Sequence, residues 1–584
     1  MKRFWMVAAV ALSLAGATPP EAPVADAAMR GDVEAVRGLL QRGSDPDAAQ
    51  GDGMTALHWA AELGNEALAR VLVDAGASLE PTTRLGAYRP LHLAARNGHA
   101  GVLRVLLEGG ASPSVTTSTG DVTPLHFAAT AASPDAAAVL LEHGADPDAR
   151  EARWGQTPLM FAAAATRAEV VGVLLEHGAN PEARAMVLDM PTREAEDRAD
   201  QQRREGAQER GAPRASAAGP TLTAPRSVAR EPSARERGAS DEVAPRSYSD
   251  AELIGGYGGL SALLMAAREG SIPVAMSLLD GGADIDGRSA GDGTTPLLMA
   301  TINGHFDLAL ELLARGADPH LVNDAGASAL YTTINTQWIP KSRHPQPAHY
   351  MQQQASYLDL MKEFLEAGVD PNVRLTKQLW FTSLGGDYLG VDRMGATPFW
   401  RAAYALDVEA MKMLVAYGAD PGVPTLKPVG RRGRPEPGSD DPTAPEPELD
   451  PSGLPVVPPG GPGVYPIHAA SGVGYGEGFA ANIHRHVPDA WLPAMRYLVE
   501  ELGADVNMRD HNGYNAVHHA AARGDNELIL YLVEHGADVM AVSRRGQTTV
   551  DMANGPVQRI TPFPETIQLL ESLGAKNNHN CVSC

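Results

Sequence analysis

The two cysteines of the chain, Cys581 and Cys584, form a C-x-x-C, with His579 two residues ahead of it. Thiols at this spacing can cycle between dithiol and disulfide, and together with an imidazole they can hold Zn²⁺ or Cu⁺. Haem attachment uses C-x-x-C-H, whose final histidine ligates the iron, and here the histidine stands on the wrong side of the pair. The expected state is an intramolecular disulfide with no cofactor, dispensable for folding because it closes a very short loop. A redox pair, a metal site and a haem tether are the alternative uses of the same residues.

A second set of chemistry-bearing residues is His58, His92, His126, His468 and His518, which stand at one position of a repeating pattern. Met160, Leu264, Leu298, Tyr331, Trp400 and Asp551 occupy that position elsewhere, so packing rather than catalysis or metal binding explains it. Two glycine runs, GGYGG (255–259) and GVGYGEG (472–478), superficially suggest phosphate loops. Neither follows a clear strand of a βαβ unit or carries the Lys-Ser/Thr of a nucleotide site, so both read as flexible loops. No G-x-S-x-G, H-E-x-x-H or Ca²⁺-loop pattern is present, and no enzyme is expected.

The elements that carry these residues repeat. TALHWAAELG from Thr55, RPLHLAARNG from Arg89, TPLHFAATAA from Thr123 and TPLMFAAAAT from Thr157 are spaced by 34 residues. Related segments start at Ser261, Thr295, Ser328, Thr397, Tyr465, Asn515 and Thr548, and a unit from Asp26 lacks the opening motif and reads as a start cap. Each unit predicts two short helices: a Thr N-cap with Pro at the first helical position opens the first, and a glycine such as Gly76, Gly144 or Gly536 closes the second. Helices this short are marginal alone, and one unit cannot cover its own apolar face, so stacking is required.

The TPLHxAA motif, the glycine between helices (Gly64, Gly98, Gly270, Gly304, Gly524) and the closing GADPDA or GANPEA resemble the ankyrin repeat. The resemblance implies an all-α solenoid of about twelve helix pairs with loops or β-hairpins projecting as fingers. It also implies that the recurring histidine bonds neighbouring backbone, and that the protein binds other proteins through its fingers and concave helix face. Tyr88, Trp154, Arg268 and Tyr404 fall at positions that face outward in the family.

The rhythm breaks in three places. Residues 185–255 mix Arg with Glu and Asp and hold few large apolar groups, which predicts disorder or a transient helix. Residues 424–463 are rich in proline and predict an extended linker. Between them, QLWFTSLGGDYLGV (378–391) reads as two short strands around Gly385-Gly386, one elongated hairpin finger. Twelve of the chain's thirty aromatic residues lie between Tyr331 and Tyr417, making this region either a partner site or a local core. Aromatic anchors dominate interfaces, so Trp380, Phe381 and Tyr388 on the finger are the leading partner-binding candidates.

The chain opens with Lys2 and Arg3, an apolar run from Phe4 to Ala15, and Ala15-Gly16-Ala17, the pattern of a cleaved secretory signal over residues 1–17. A formal net charge of −23 argues against nucleic acid or an anionic membrane as partner. The expected organisation is signal 1–17, a block of cap and four repeats at 18–184, a disordered linker at 185–255, a second block at 256–423, a Pro-rich linker at 424–463, a third block at 464–575 and a flexible C-x-x-C tail at 576–584. The expected function is that of a monomeric, periplasmic or secreted protein-interaction scaffold with no membrane insertion after cleavage. The rival is a redox, haem or metal carrier docked by the array.

Overall fold

The computed structural model describes residues 22–209, 248–341, 347–380, 389–428, 450–476, 480–555 and 561–581. The proposed signal segment, Phe381, Tyr388 and Cys584 lie outside them. The chain divides into two compact units. Each is an array of helix pairs, six in the first and six in the second among the described residues.

In the first unit the pairs are Pro23–Met29 with Val33–Gln41, Ala56–Leu63 with Glu66–Asp74, Pro90–Arg96 with Ala100–Glu108, Pro124–Thr130 with Pro134–Glu142, Pro158–Ala164 with Ala168–Glu176, and Ala262–Glu269 with Ile272–Asp280. The last of these corrects the expected block boundary. Helix Ala262–Glu269 packs on Pro158–Ala164, and Ile272–Asp280 packs on Ala168–Glu176. The linker therefore loops out of a stack that continues in register. A ladder of side-chain acceptors shows the same thing: Asp47 accepts from Ser78 N–H at 2.8 Å, Asp148 from Asn180 N–H at 2.9 Å, and Glu182 from Asp284 N–H at 2.8 Å across the insertion.

The second unit holds Pro296–Asn303 with Phe306–Ala314, Ala329–Gln337 with Tyr357–Glu366, Pro398–Tyr404 with Val408–Ala416, Pro466–Ala469 with the helix begun at Trp491–Arg496, Ala516–Arg523 with Asn526–Glu534, and Thr549–Ala553 with Pro564–Ser572. It also contains the sheet found among the described residues, β1 (Val187–Asp189) antiparallel to β2 (Gly256–Gly258). The sheet zips the two ends of the 185–255 insertion together. Gly256 is needed there because a Cβ would meet the Gly291 carbonyl oxygen at 2.6 Å, so the GGYGG run is a close-packed strand and not the flexible loop expected. Past β1 the chain is helical over Met190–Glu209. Of the two expected alternatives, disorder or a transient helix, this part of the insertion takes the helix, supported locally by the Arg193–Asp197 and Glu194–Arg198 pairs one turn apart and by the Ser249 hydroxyl donating to Glu194 at 3.0 Å.

The Pro-rich insertion also leaves and re-enters a continuous stack. Leu426 bridges Pro462 antiparallel, and Thr425 N–H donates to Val464 O at 2.9 Å. Its returning half is docked rather than free: Arg544 pairs with Asp450 and donates to Pro455 O at 2.6 Å. The tail expected to be flexible from 576 is held as far as Asn580, whose side chain donates to Arg545 O at 2.6 Å and whose N–H donates to Asp551 at 3.2 Å. Elsewhere in both units one backbone N–H per loop reaches the preceding loop, as in Arg84 to Asp52 O, Ala152 to Gly120 O and Asp324 to Asp292 O, at 2.8–2.9 Å. Asn580 thus supplies to the last loop what a following loop supplies to the others.

Candidate functional site

The fourth residue of each motif fixes how the first helix starts. Where it is apolar, the N-cap hydroxyl accepts its N–H, as Thr157 does from Met160 at 3.4 Å and Thr397 from Trp400 at 3.1 Å. Where it is histidine, Nδ1 accepts the N-cap residue's own N–H, from Thr55 to His58 at 3.1 Å and from Arg89 to His92 at 3.0 Å. That leaves Nε2 protonated, and it bonds a carbonyl farther along the chain: Tyr88 for His58 (3.0 Å), Val115 for His92 (3.2 Å), Gln156 for His126 (3.1 Å) and Met508 for His468 (2.9 Å). The histidine is a staple tying its helix start to the adjoining loop. Burial holds these rings below the usual imidazole range, His92 and His468 at about 4 and His518 at about 3.

Arginine makes a parallel staple that the sequence did not suggest. Arg150 donates to its own loop at Gly155 O and to Arg184 O, both at 2.7 Å; Arg374 does the same with Gly395 O at 2.9 Å and Pro424 O at 2.7 Å. With helix starts and loops both stitched, the residue after the histidine is presented at a fixed spacing on one face of the first helices.

In the first unit that residue is Trp59, Leu93, Phe127, Phe161 and Met265. Trp59, Phe127 and Phe161 are half-buried, and Tyr88 joins them, its ring 5.8 Å from that of Phe127. Phe161 meets His126 edge-on at 5.0 Å, and the Arg96 guanidinium, paired with Glu62 at 2.9 Å, lies 6.0 Å from the Tyr88 ring centre. Leu85, beside them on the Tyr88 loop, is 86% exposed. The result is an aromatic stripe with one face in water. The signal that could have found Trp59, Phe127 and Phe161 is the 34-residue spacing of the residue following the histidine position.

In the second unit the same position holds Met299, half-buried, and Thr332, Arg401, Ala469, His519 and Met552, all buried. Arg401 donates to Asn335 Oδ1 at 3.0 Å and to Trp338 O at 2.5 Å, and His519 faces Asp510 at 3.3 Å. Beside Arg401, Tyr404 is covered by a segment inserted after Ser471, whose His484 stacks on its ring at 4.2 Å.

The candidates taken from the sequence separate accordingly. Tyr88 lies on the stripe. Trp154 is half-buried at a loop of the first unit, its N–H on Glu151 at 2.7 Å and its indole beside Arg153. Arg268 is exposed and paired with Glu269 at 2.9 Å. Tyr404, expected outward, is 1% exposed, because a segment inserted after Ser471 lies across it. Trp380 is half-buried, its ring 6.3 Å from Tyr257 on β2, and Phe381 and Tyr388 lie outside the described residues. The ends of the expected hairpin do not project: Leu379 and Leu389 are both 2% exposed in a core cluster with Tyr331, Trp400 and Tyr404. Among the described aromatics between Tyr331 and Tyr417, Tyr331, Phe364, Phe399, Trp400 and Tyr404 are core.

Among the described residues no cluster of His, Cys, Asp and Glu could hold a metal, and no helix is long and apolar enough to cross a membrane. Cys581 is disulfide-bonded.

Comparison with known proteins agrees with this architecture. The profile "Ankyrin repeats (3 copies)" matches residues 24–117, 91–185 and 244–323, and "Ankyrin repeats (many copies)" matches 497–553. A human protein, BCL-6 corepressor-like protein 1, is 38% identical over 79 residues, covering 14% of this chain and 4% of its own length. The chain thus spans only a small fraction of that relative. The recurring cap, histidine staple, glycine turns and stitched loops, together with these matches, place the chain in the ankyrin repeat family.

Proposed function

We propose that the protein is a non-catalytic, monomeric scaffold that grips a partner protein with the aromatic stripe of its first unit. The observation that carries this reading is what stands half-buried at one repeat position: the three aromatics Trp59, Phe127 and Phe161 in the first unit, beside buried Leu93 and Met265, against the single aliphatic Met299 in the second, where Thr332, Arg401 and His519 are buried. Half-buried aromatics fixed by a rigid stack are good anchors, since little side-chain freedom remains to be lost on binding. Leu85 and Trp154 on the neighbouring loops extend the surface. The net charge of −23 favours a neutral or basic partner segment over an acidic one or a nucleic acid. The basic and apolar opening of the sequence supports export, with the partner met in the periplasm or outside the cell. Trp380 and Tyr257 offer a smaller second surface on the other unit.

Replacing Trp59, Phe127 and Phe161 together by alanine is expected to weaken partner binding by at least about 100-fold, since a single anchor contributes roughly 2 kcal/mol. Affinity capture from a cell extract, comparing this variant with Trp380→Ala and the unaltered chain, checks it. Proteins retained by the unaltered chain and by Trp380→Ala but lost from the triple variant support the stripe. Equal retention by the triple variant contradicts it.

A further inference from the structure

Residues 454–459, LPVVPP, lie in the returning half of the Pro-rich insertion and belong to the second unit. Their conformation follows from their order. Pro455, Pro458 and Pro459 have φ fixed near about −65°, and a residue preceding proline is driven to extended or polyproline II backbone, which covers Leu454, Val457 and Pro458. Exposure along the stretch repeats every third residue: Leu454, Val457 and Gly460 are half-buried, whereas Pro455, Val456, Pro458 and Pro459 are exposed, Val456 at 83%. A period of three is that of the polyproline II helix. One of its three faces therefore lies on the protein and two face water.

The segment is held through its backbone. Arg544 donates to Leu454 O at 3.2 Å and to Pro455 O at 2.6 Å, and the Lys427 ammonium donates to Val457 O at 2.9 Å. Arg544 is itself fixed by the array, its N–H on Asn512 O at 3.0 Å and its Nε on His511 O at 3.1 Å. Beyond Pro459 the chain turns back, with Gly461 N–H donating to Pro458 O and Gly460 N–H to Lys427 O, both at 2.9 Å. A linker needs no such clamps. Fixing an extended segment costs conformational entropy, which burial does not offset when the apolar side chains stay in water. A segment already ordered in its bound form loses less on binding a partner. Pro455-Val456-Val457-Pro458 is a P-x-x-P whose two prolines stand one turn apart on one exposed face, with Val456 and Pro459 on the other. Aromatic-lined grooves recognise this pattern. We infer that residues 454–459 are a preformed polyproline II ligand, displayed for a partner domain whose groove is lined by tryptophan and tyrosine. Here the chain offers the ligand and the partner supplies the groove. The site is independent of the stripe on the first unit, and either can fail without the other.

The test passes the full chain over a panel of purified Src-homology 3 and WW domains, read by surface plasmon resonance. Saturable binding to at least one domain is expected. Against that domain, the double variant Pro455→Ala, Pro458→Ala should bind at least about tenfold more weakly, and so should Val456→Asp, altered at the most exposed position of the segment. Pro451→Ala, outside the P-x-x-P, should bind as the unaltered chain does. A free peptide of residues 452–461, SGLPVVPPGG, should bind at least about threefold more weakly than the chain, because it must be ordered on binding. Binding to no domain of the panel overturns the inference. So does undiminished binding by the double variant or by Val456→Asp, or a free peptide that binds as tightly as the chain.

Discussion

Moving from pH 7.5 to pH 5 is expected to lower the stability of both units steeply, and each histidine staple contributes. The rings of His58, His92 and His126 in the first unit and His468 and His518 in the second are held below the ordinary imidazole value, in each case chiefly by burial. In the unfolded chain they titrate near 6.5. A folded value below the unfolded one means that the unfolded state takes up the proton first. The stabilisation is therefore present above about pH 6.5 and is lost as the pH falls toward the folded values of about 4 for His92 and His468. Each pH unit in that window is worth about 1.4 kcal/mol per histidine, so at pH 5 these two alone have lost roughly 2 kcal/mol each. The structural cause is burial, which withholds water from a charged ring whose unprotonated Nδ1 accepts the N-cap N–H, as in His58 and His92. Urea midpoints measured between pH 7.5 and 5 check the slope. His126→Leu should flatten it for the first unit, because Thr123 can then cap the helix as Thr295 does with Leu298 at 3.3 Å. A pH-independent midpoint would mean the staples do not form.

The second large effect is expected from Trp400→Ala, a loss of about 3–5 kcal/mol from the second unit. The indole is fully buried in the cluster with Leu375, Leu389 and Val391, stacked on Tyr404. Its Nε1–H donates to Val464 O at 2.9 Å, a residue reached only after the Pro-rich insertion. Truncation therefore opens a cavity and also removes a bond that returns the chain to the stack. Equilibrium unfolding followed by circular dichroism gives the value. A loss below about 1 kcal/mol would place the ring at the surface and revive the view of this region as an interface.

Both expectations show where sequence was enough and where it was not. The helix pairs were legible because their signals are local and repeated: Thr157-Pro158 opens a helix, and Gly524 closes one with φ +74 where a Cβ would sit 2.7 Å from Phe563. The histidine's structural role was legible because the same position tolerates leucine. Continuity across the insertions was not, because it depends on contacts such as Asp284 with Glu182 that no local pattern encodes. Which aromatic residues face water was not legible either, for a related reason. A count of aromatics cannot tell a ring that faces water from one that an inserted segment covers, as His484 covers Tyr404. Composition left disorder and a transient helix both open over Met190–Glu209, because charge pairing along one face needs the residues in order, not merely in proportion.

The most direct test of the stripe as the partner-binding face is site-specific photocrosslinking in living cells. A photoreactive residue replaces Phe127 in one chain and, in a second, Glu142, an exposed residue of the second helix of the same repeat. A discrete covalent adduct from position 127, absent from position 142, is the result the account predicts. An adduct from position 142 with none from position 127 would contradict it.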